Sequence, residues 1–561
     1  MKVNGTRQKH LLTILVEDYF HVGAFENLIQ QRNWSNFEPR YEHNTLKTLN
    51  LLDEFDTKAT FFVLGWIAEQ NPKLVREIVA RGHEVASRGY YHRSLKNLTD
   101  EEFREDLRRA NRAIEDAGGQ KVLGYRAAEK LSFGTNDWVL DVLADEGFAY
   151  DSSFLPKRSS ERRNRSAHQI HTGGNAIWEF PYSTRDVGVG LLPISGGNYF
   201  RQIPYTLMRH AVKDWHTRYD APFVSYFHVW ELDPEQPRIS AASNFNRIRH
   251  YRKLDKMEWI LRENLELYDC VSVAEHLGLT NEIRLDRSEA AIEISVATNN
   301  ISETPRREPV TVVIPCYNEE EALPYLANTL RSVELTLADA SYEPQFIFID
   351  DCSTDDTYSK LNELFGKWPN VRIVQHVENK GVAAGIMTGL RAAATDIVCS
   401  MDCDCTYDPH ELARMLPLLG ENVDMVTASP YHRDGGVRNV PGWRLFLSKS
   451  ASFLYRRVLH AKLDTYTSCF RVYRRDAMLG LDLTETGFLG VAEMLGKLDL
   501  SGGNIVEFPA VLEVRLFGMS KMKTARTIFG HIKLLSRLTK IRWFRKKDTI
   551  KPSIQIEEKP R

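Results

Sequence analysis

Two aspartates separated by one residue close a short apolar run in the C-terminal half of the chain. The stretch IVCSMDCDCTYDP ends a buried-strand pattern in Asp402 and Asp404. If residues 401–405 are extended, the two-residue period of a strand places both carboxylates on one face and the intervening cysteines on the other. Paired oxygen ligands of this kind suit Mg²⁺ or Mn²⁺ bridging a diphosphate. We therefore expect Asp402 and Asp404 to hold a metal ion together with a phosphorylated substrate.

Two earlier segments of the same half also end a strand in polar side chains. FIFIDDCSTDDT ends in Asp350 and Asp351, and VIPCYNEEEA leads from a strand into a helix. Carboxylates and helix starts at the carboxyl ends of parallel strands lie where open α/β sheets bind ligands. The competing interpretation is that these acidic residues only cap helices and turns. It would require that three separate segments match the pattern of a binding site by coincidence.

Taken in order, the three segments resemble the family-2 glycosyltransferases of the nucleotide-sugar-binding GT-A fold over residues 309–530. The resemblance implies a Rossmann-like α/β sheet and a nucleotide-sugar donor. It also implies roles for individual residues: base contact for Tyr317 and Asp351, shaping of the nucleotide pocket for Pro315 and Glu319, and binding of metal and diphosphate for Asp402 and Asp404.

The strings DTYTSCFRVYRRDA and VRLFGMSKMK, further along, resemble the polyprenyl-phosphate sugar synthases. The match departs at Cys469, where that group usually has glycine. A polyprenyl phosphate acceptor is the partner that the resemblance implies. For Arg438 and Arg444 the alternative is a solvated surface charge. The residues assigned to the acceptor or diphosphate region are Ser468, Arg471, Arg515 and Lys521, with Arg438 and Arg444 as additional phosphate contacts.

Acceptor chemistry gives a separate reason to expect a phosphate. A phosphate monoester with a second pKa of about 6 is already nucleophilic at neutral pH, whereas a sugar hydroxyl needs a positioned general base. The segment GFLGVAEMLGKL supplies Glu493 but not the acidic pair that a hydroxyl acceptor would need. We therefore expect in-line displacement with inversion at the anomeric carbon, in which metal and cationic residues stabilise the departing nucleoside diphosphate.

Residues from 10 to about 279 resemble the polysaccharide deacetylases of the nodulation-factor type, especially the exosortase-associated subgroup. The matching strings include VEDYFHV, ATFFVLGW, GHEVAS, GYRA, WEFPYST and SYFHVWELDPEQPR. The resemblance implies an incomplete (β/α) barrel with its site at the carboxyl ends of the strands. It also implies a glycan or N-acylated sugar as the ligand.

The metal chemistry of that family is altered in this sequence. Its members hold a divalent metal, usually zinc, with one aspartate and two histidines, and a second aspartate serves as the base. Asp18 and His92 match ligand positions, but Arg88 stands at the other histidine and Leu15 at the base. Arginine stays protonated and has no free lone pair, so it cannot replace a ligand. Further positions that match the family are Arg126, Asp151 and His228.

Two interpretations of this altered site remain open. In one, the domain binds sugar but hydrolyses poorly, and Arg88 pairs with Asp18 or receives a substrate anion. In the other, a rearranged deacetylase uses Glu17 as base, Asp18 as ligand and His21 as a substitute ligand. We favour the first, because a cation beside the metal opposes metal binding. The residues that would carry catalysis in the second are Glu17, Arg126 and His228.

The domain organisation follows from the length of 561 residues and from a polar stretch in the middle of the chain. We expect a deacetylase-like domain at 1–280, a linker at 281–308, a glycosyltransferase domain at 309–530 and a basic amphipathic tail at 531–561. The 73 Lys and Arg residues balance 75 Asp and Glu residues, so overall charge gives no indication of nucleic acid binding.

Location is predicted from cysteine usage and hydropathy. Seven cysteines in a chain of this length do not make a disulfide framework, which favours a reducing cytoplasm. The polar start leads into an apolar run too short for a signal peptide, and no window approaches the ~20 apolar residues of a membrane span.

The basic segment 521–547 contains no acidic residue, and apolar residues recur in it at helical spacing. Such a helix can lie on an anionic membrane surface, peripheral to the cytoplasmic membrane. Alternatively, it packs on the transferase domain with its basic side exposed. The residues of the apolar stripe are Ile528, Ile532, Leu535 and Leu538.

These observations predict a two-domain protein of cell-surface polysaccharide biosynthesis. Its C-terminal domain would transfer a sugar from a nucleotide to polyprenyl phosphate, and its N-terminal domain would recognise an N-acylated sugar. One alternative is a bifunctional enzyme that transfers the sugar and then removes its acyl group. Another is a non-catalytic sugar-binding scaffold, against which the Asp402 and Asp404 pair argues.

Overall fold

The computed structural model describes residues 9–172, 174–283, 307–518 and 524–548. Contacts divide these residues into two compact units, one holding most of the chain up to Ile283 and the other most of the chain from Arg307. The short segments Ser35–Glu38 and Arg238–Ala241 group with the second unit. Most of the predicted linker and Lys521 lie outside the described residues, so the proposed boundaries stay predictions.

The first unit is built on a mostly parallel sheet in the order β10-β1-β2-β3-β4-β5-β7-β6, with β11 also pairing with β1. In the described residues no pairing joins the two ends of this path, which confirms the incomplete barrel. The apolar stretches LLTILV, ATFFVLG and PFVSYFHV contribute β1, β2 and β10. The strands are β1 (Lys9–Val16), β2 (Thr60–Val63), β3 (Glu84–Ser87), β4 (Gly124–Tyr125), β5 (Tyr150–Asp151), β6 (His168–Thr172), β7 (Asn175–Glu179), β8 (Thr184–Asp186), β9 (Leu191–Pro193), β10 (Phe223–His228) and β11 (Asp269–Val271).

Helices of the first unit follow the strands, and α4 shows how sequence sets their ends. Thr99 accepts a hydrogen bond from the Glu102 amide, and the Glu102 side chain accepts one from the Thr99 amide, which closes a capping box. Gly119, at φ 69°, ends the helix in the left-handed region, as glycine readily does. The helices are α1 (Tyr41–Glu54), α2 (Gly65–Gln70), α3 (Pro72–Ala80), α4 (Asp100–Gly118), α5 (Trp138–Asp145), α6 (Gly197–Gln202), α7 (Tyr205–Arg218), α8 (Asn244–Tyr251), α9 (Met257–Leu267) and α10 (Val273–Leu277).

The second unit has a seven-stranded sheet in the order β14-β13-β12-β15-β18-β16-β19. Strands β14, β13, β12 and β15 are parallel, whereas β18 runs antiparallel to β15 and β16. The parallel strands confirm the α/β sheet that the resemblance to the GT-A fold implied. The strands are β12 (Glu308–Cys316), β13 (Tyr342–Asp350), β14 (Val371–Gln375), β15 (Ile397–Ser400), β16 (Met425–Ser429), β17 (Gly436–Val437), β18 (Arg471–Arg474), β19 (Ile505–Pro509) and β20 (Val511–Leu512).

Apolar cores cover both faces of this second sheet. Val312 and Ile314 of β12 join one core, and Val313 between them joins the other, which is the alternation of a buried strand. Within the described residues, none of the helices combines the length and the apolar character that crossing a bilayer requires. The helices are α11 (Leu323–Asp339), α12 (Thr357–Phe365), α13 (Val382–Ala392), α14 (Leu412–Met415), α15 (Gly442–Val458), α16 (Arg475–Leu479), α17 (Phe488–Leu500) and α18 (Thr524–Asp548).

Candidate functional sites

Arg515 joins two carboxylates at the carboxyl edge of the second sheet. Its Nε donates to Asp404 Oδ2 at 2.6 Å, and its terminal nitrogens donate to the two oxygens of Glu319 at 2.9 and 3.2 Å. Glu319 follows β12 and Asp404 follows β15, and these strands are parallel neighbours. The topology therefore brings together two segments that are far apart in sequence. We call Glu319, Asp402, Asp404 and Arg515 the carboxylate cluster.

The charge of the carboxylate cluster is suited to a divalent cation. Burial raises the pKa of Asp402 to about 7, with a further rise from Asp404 and a lowering by Arg515. Burial would lower the pKa of Arg515, but Asp404 and Glu319 together raise it. Three carboxylates and one guanidinium leave two uncompensated negative charges when all are ionised. Mg²⁺ or Mn²⁺ would balance these charges.

The aspartates of the cluster lie in a turn, so the expectation that residues 401–405 are extended is wrong. The strand β15 ends at Ser400, and Cys405 adopts φ 53°. Cys403, between the two aspartates, is buried in the apolar core. Cys469, which replaces the usual glycine, donates a hydrogen bond from its thiol to Asp402. The turn thus places both carboxylates at the sheet edge by a different backbone path.

The carboxylate of Asp351 accepts hydrogen bonds from the loop that precedes α13. Its Oδ1 accepts hydrogen bonds from the Lys380 amide at 2.8 Å and His376 Nδ1 at 2.7 Å, and its Oδ2 accepts from the Gly381 amide at 2.6 Å. Gly381 has φ 91°, and a Cβ there would lie 2.7 Å from Gly487 Cα. Asp351 therefore positions this loop, and its contact with a nucleotide base stays a prediction. Sequence reasoning missed the contact of His376 with Asp351. The stretch HVENKG, in which a glycine directly precedes a helix, could have indicated a functional loop here.

The pocket residues Pro315 and Tyr317 lie at the end of β12 and just beyond it. Pro315 is half-buried, and a Cβ added to Gly385 of α13 would lie 3.3 Å from its Cβ. Tyr317 is also half-buried. These positions agree with the sheet edge where the nucleotide was expected, and the roles themselves remain predictions.

Arg471 has a structural role in the second sheet, and its contact with acceptor or diphosphate stays a prediction. Its side chain is fully buried in β18. Its terminal nitrogens donate to the carbonyl oxygens of Val491 at 2.8 Å and Tyr466 at 2.9 Å, and its Nε donates to Thr427 Oγ1 at 3.3 Å. These bonds fasten β18 to its neighbours and leave the guanidinium no exposed face.

The other predicted acceptor contacts divide into buried and exposed residues. Ser468 is buried and accepts a hydrogen bond from the Phe470 amide at 3.2 Å. Arg438 is 49% exposed and lies 3.5 Å from Glu513. Arg444 lies in the first turn of α15, with its guanidinium 5.3 Å from the Trp443 ring. Of these, Arg438 and Arg444 are the residues that a phosphate could reach.

Glu17 is the centre of the altered site in the first unit. Its Oε2 accepts from His92 Nε2 at 3.0 Å and from Arg88 Nε at 3.4 Å, and its Oε1 accepts from His228 Nδ1. Burial alone would raise the pKa of Glu17, but Arg88, His228 and His92 hold it well below its usual value. The carboxylate is therefore ionised and already surrounded by donors.

Arg88 is fixed in place by its remaining donors. It is buried, and Nη1 donates to the carbonyl oxygens of Arg126 at 3.5 Å and of Ala127. Its Nη2 lies 3.3 Å from His92 Nε2. The predicted pairing of Arg88 with Asp18 is wrong, because Glu17 takes that place. Because these groups already accept from its guanidinium, Arg88 has few N–H donors left for a substrate anion.

Asp18 accepts hydrogen bonds from the backbone, and its role as a metal ligand together with His92 stays a prediction. Its Oδ2 accepts from the amides of Arg40 at 2.6 Å and Tyr41 at 2.9 Å, and its Oδ1 accepts from the Tyr19 amide at 2.9 Å. Burial raises its pKa to about 7, although these amides lower it. Asp18 thus holds the start of α1.

Arg126 and Asp151 are buried supports of the barrel, which the matching of motifs alone did not lead us to expect, and the catalytic role of Arg126 stays a prediction. Arg126 donates to the Ser152 carbonyl and to Thr13 Oγ1, both at 2.8 Å, and stacks 4.7 Å from Phe62. Asp151 is fully buried and accepts from Ser153 Oγ at 2.6 Å. Packing inside the barrel, which spacing in the sequence does not report, explains both differences.

Two further histidines, His21 and His228, belong to the altered site around Glu17. His228 is 19% exposed. His21 Nδ1 accepts from the Asp18 amide at 2.8 Å, and within the described part of the chain its buried Nε2 has no hydrogen-bond partner. Its ring lies 4.3 Å from Trp34 and 5.4 Å from Trp66. Burial lowers the pKa of His21 to about 3, so the ring is neutral.

Neither unit holds a preassembled metal site among its described side chains. Across residues 9–172, 174–283, 307–518 and 524–548, no three His, Cys, Asp or Glu side chains converge on one point. In the carboxylate cluster, two aspartates would thus supply part of a coordination shell and phosphate or water oxygens the remainder, as is usual for Mg²⁺.

Comparison with known families divides the chain as the two units do. Residues 311–480 match glycosyl transferase family 2, residues 29–150 match polysaccharide deacetylase, and residues 152–277 match a domain of unknown function, DUF3473.

Individual proteins resemble either half. Polyprenol monophosphomannose synthase of Mycolicibacterium smegmatis is 32% identical over 219 residues, which are 38% of this chain and 80% of that protein. Dolichol-phosphate mannosyltransferase of Pyrococcus furiosus is 31% identical over 233 residues, 41% of this chain, and the match spans 64% of that relative's length. Among solved structures, the CE4 family pseudoenzyme BA3943 of Bacillus anthracis is 18% identical, with 50% of this chain and 68% of that chain covered and a TM-score of 0.26.

Proposed function

We propose, for a chain that belongs to glycosyl transferase family 2 and carries a polysaccharide deacetylase domain, that the second unit transfers a sugar from a nucleotide to a polyprenyl phosphate. The observation that carries the proposal is the carboxylate cluster, in which Arg515 bridges Asp404 and Glu319 at the carboxyl edge of the sheet. Ligands of open α/β folds bind at this edge.

Asp402 and Asp404 are the residues that would hold Mg²⁺ or Mn²⁺. The two uncompensated negative charges of the cluster match the charge of either ion. When bound, the ion would neutralise negative charge on the departing nucleoside diphosphate. Arg515 would supply a second cationic contact to that diphosphate, since its guanidinium can exchange a carboxylate for a phosphate oxygen.

The acceptor class follows from the relatives and from phosphate chemistry. The two curated relatives are named as a polyprenol monophosphomannose synthase and a dolichol-phosphate mannosyltransferase. A lipid phosphate oxygen would attack the anomeric carbon while the bond to the nucleoside diphosphate breaks, with inversion and no covalent enzyme intermediate. The acidic candidate for a base, Glu493, already accepts from the amides of Thr484 and Glu485 and pairs with Lys497. A phosphate acceptor is already ionised at neutral pH and needs no general base, so it fits this unit better than a sugar hydroxyl.

Release of nucleoside diphosphate tests this proposal. Each candidate nucleotide sugar is incubated with the full chain, with and without a polyprenyl phosphate, and the diphosphate is quantified. Release that depends on the lipid phosphate supports the proposal. Release that needs a sugar hydroxyl acceptor instead would contradict it.

For the first unit we infer binding of an N-acylated sugar without metal-dependent hydrolysis. Arg88 contacts both Glu17 and His92 and stands where a second ligating histidine is expected from the family pattern. A fixed cation at that point opposes metal binding. The partly exposed His228 and the half-buried ring of Trp66 offer a polar group and an apolar face to a sugar. Acetate released from N-acetylated oligosaccharides by the full chain, together with one bound zinc, would favour the bifunctional alternative instead.

The proposal places the chain in the cytoplasm, at the membrane that holds its lipid acceptor. The basic helix α18 supports a peripheral position, because its sequence carries one acidic residue, Asp548 at its end, among many lysines and arginines. A non-catalytic scaffold would not require the carboxylate cluster, and for that reason transfer is preferred.

A further inference from the structure

A half-buried lysine of the first unit lies among aromatic rings. Lys130 follows β4, and its Nζ donates a hydrogen bond to Tyr199 Oη at 3.2 Å. The same nitrogen lies 4.7 Å from the centre of the Tyr199 ring, 5.3 Å from that of Tyr182 and 6.0 Å from that of Tyr226. Aromatic faces attract an ammonium group, so they can hold it in place without a carboxylate. We call these four residues the Lys130 cage.

The rings of the Lys130 cage are fixed by their own packing. Tyr226 belongs to β10, where Gly196 lies beside it in an isolated parallel bridge. A Cβ at Gly196 would come within 2.3 Å of Tyr226 Cζ, so a larger residue there would displace the ring. The Tyr182 ring meets the Tyr226 ring edge to face, with 5.0 Å between the centroids. These two rings are buried, and Lys130 with Tyr199 forms the part of the cage that solvent reaches.

Lys130 carries a charge that its surroundings do not neutralise. In the described part of the chain, no carboxylate lies within ion-pair distance of its Nζ. Three carboxylates of this region are paired with other cations. The pairs are Glu17 with Arg88, Glu129 with Lys96 and Glu231 with Arg201. An anion can therefore bind Lys130 without first displacing a partner.

The tyrosines of the cage do not neutralise the lysine either. Burial raises the pKa of Tyr182 and of Tyr226, so both hydroxyl groups keep their protons at neutral pH. An ammonium group has three N–H donors, and Tyr199 accepts from one of them. Among the contacts of the described residues, two donors of Lys130 remain for the oxygens of a carboxylate or a phosphate.

The Lys130 cage borders the altered site around Glu17. Tyr226 and His228 are two residues apart in β10, so their side chains leave the strand on the same side. The two rings lie 6.0 Å apart, and His228 is 19% exposed and donates to Glu17. One short oligosaccharide can therefore contact the cage and His228 together.

We propose that the Lys130 cage is an anion subsite, through which the first unit binds an N-acylated glycan that also carries an anionic group, either a carboxylate or a phosphate. The inference rests on the proposed function of the first unit and deepens it, because it names the charge of the ligand. His228 and Trp66 would contact the N-acylated residue, and Lys130 would donate to the anionic group. A neutral glycan would leave the two donors of Lys130 to water, so the acidic glycan is preferred.

Calorimetric titration of the full chain tests the subsite with four probes. A hyaluronan tetrasaccharide and chitotetraose both carry N-acetyl groups, but only the first has carboxylates. N-acetylglucosamine 1-phosphate offers a phosphate instead, and tetragalacturonate has carboxylates without an N-acyl group. We expect the hyaluronan tetrasaccharide to bind at least about tenfold more tightly than chitotetraose, since hydrogen bonds to a charged group give a difference of this size.

Variants attribute this preference to Lys130. Lys130→Met should weaken binding of the acidic probes at least about tenfold and change binding of chitotetraose by no more than about twofold. Lys130→Arg should retain the preference, because it keeps a cation at the cage. Lys213→Met, which removes an exposed lysine of α7, is the matched control and should bind like the unchanged chain. Circular dichroism establishes that each variant folds.

The outcomes separate the anion subsite from the proposed function. Equal binding of the hyaluronan tetrasaccharide and chitotetraose, or acidic binding that Lys130→Met leaves unchanged, would overturn the subsite alone. Tetragalacturonate that binds as tightly as the hyaluronan tetrasaccharide, and is weakened by Lys130→Met, would support the subsite and contradict recognition of an N-acyl group. The acidic probe that Lys130→Met weakens identifies the anion as a carboxylate or a phosphate. Absence of binding by every probe would overturn both proposals.

Discussion

The Arg88 guanidinium lies against the Glu17 carboxylate, with Nε 3.4 Å from Oε2, and the same oxygen accepts from His92. A buried cation is thus built into the position where the family pattern places a metal-binding histidine. This relationship is the basis of the proposal that the first unit binds sugar without metal-dependent hydrolysis.

Replacing that cation with a ligand should create metal affinity. Arg88→His would place an imidazole beside Glu17 and His92 and remove the opposing charge, so we expect about one more equivalent of zinc per chain than in the unchanged protein. Arg88→Gln is the matched control, because it removes the charge without adding a ligand. Zinc is counted by elemental analysis of the full chain. Equal zinc in both variants would show that the arginine does not occupy a ligand position. Adding Leu15→Asp to Arg88→His should help hydrolysis more than either change alone, since ligand and base act together.

Arg515 should compete with a divalent cation for Asp404. Removing its charge in Arg515→Met leaves the carboxylates of the cluster uncompensated, so we expect Mn²⁺ to bind more tightly, on the order of tenfold. Electron paramagnetic resonance of free Mn²⁺ measures this without substrate, and Arg438→Met serves as a control for loss of an exposed arginine. Transfer activity should fall in Arg515→Met despite the tighter metal. Weaker Mn²⁺ binding in that variant would mean that Arg515 supports the metal site.

Arg471 should affect stability more than substrate binding. Arg471→Met leaves buried carbonyl oxygens of Val491 and Tyr466 unpaired, and each such acceptor costs about 1–3 kcal/mol. We expect the free energy of unfolding to fall by at least about 2 kcal/mol, measured by urea denaturation. Arg438→Met, at a half-exposed site, should change it by no more than about 0.5 kcal/mol. If Arg471→Met is fully stable but no longer binds the nucleotide sugar, the result would support the substrate contact that the sequence predicted.

His83 should make the first unit sensitive to acid. Burial, with a smaller effect of Lys58, lowers the pKa of His83 to about 4, while the unfolded chain titrates at about 6.5. The unfolded state therefore binds the proton first, and stability is lost as pH falls from about 6.5 to about 4, by up to about 1.4 kcal/mol per pH unit. His83→Asn should flatten this slope by about one proton, and His43→Asn controls for loss of an exposed histidine. An unchanged slope in His83→Asn would contradict the assignment.

The sequence predicted the elements of the fold better than it predicted the directions of side chains. The bounds of α4 follow from local signals in the sequence, namely its capping box and terminal glycine. Asp18 and Glu17 are adjacent, and only the loop before α1, which binds the Asp18 carboxylate, decides which of them faces His92. Arg471 matched a motif, but its burial depends on packing between β18 and α17. The predicted apolar stripe of α18 is divided between the core and the solvent, because such a stripe looks the same in sequence whichever of them it faces.

The central claim is that the second unit transfers sugar from a nucleotide to a lipid phosphate through the carboxylate cluster. The most direct measurement is the formation of glycosyl polyprenyl phosphate by the full chain and by Asp404→Ala, with the fold of each checked by circular dichroism. We expect transfer in the unchanged chain, and a loss of at least about a hundredfold in the variant, since stabilisation of the leaving diphosphate is worth several kcal/mol. Near-normal transfer by a folded Asp404→Ala variant would contradict this account.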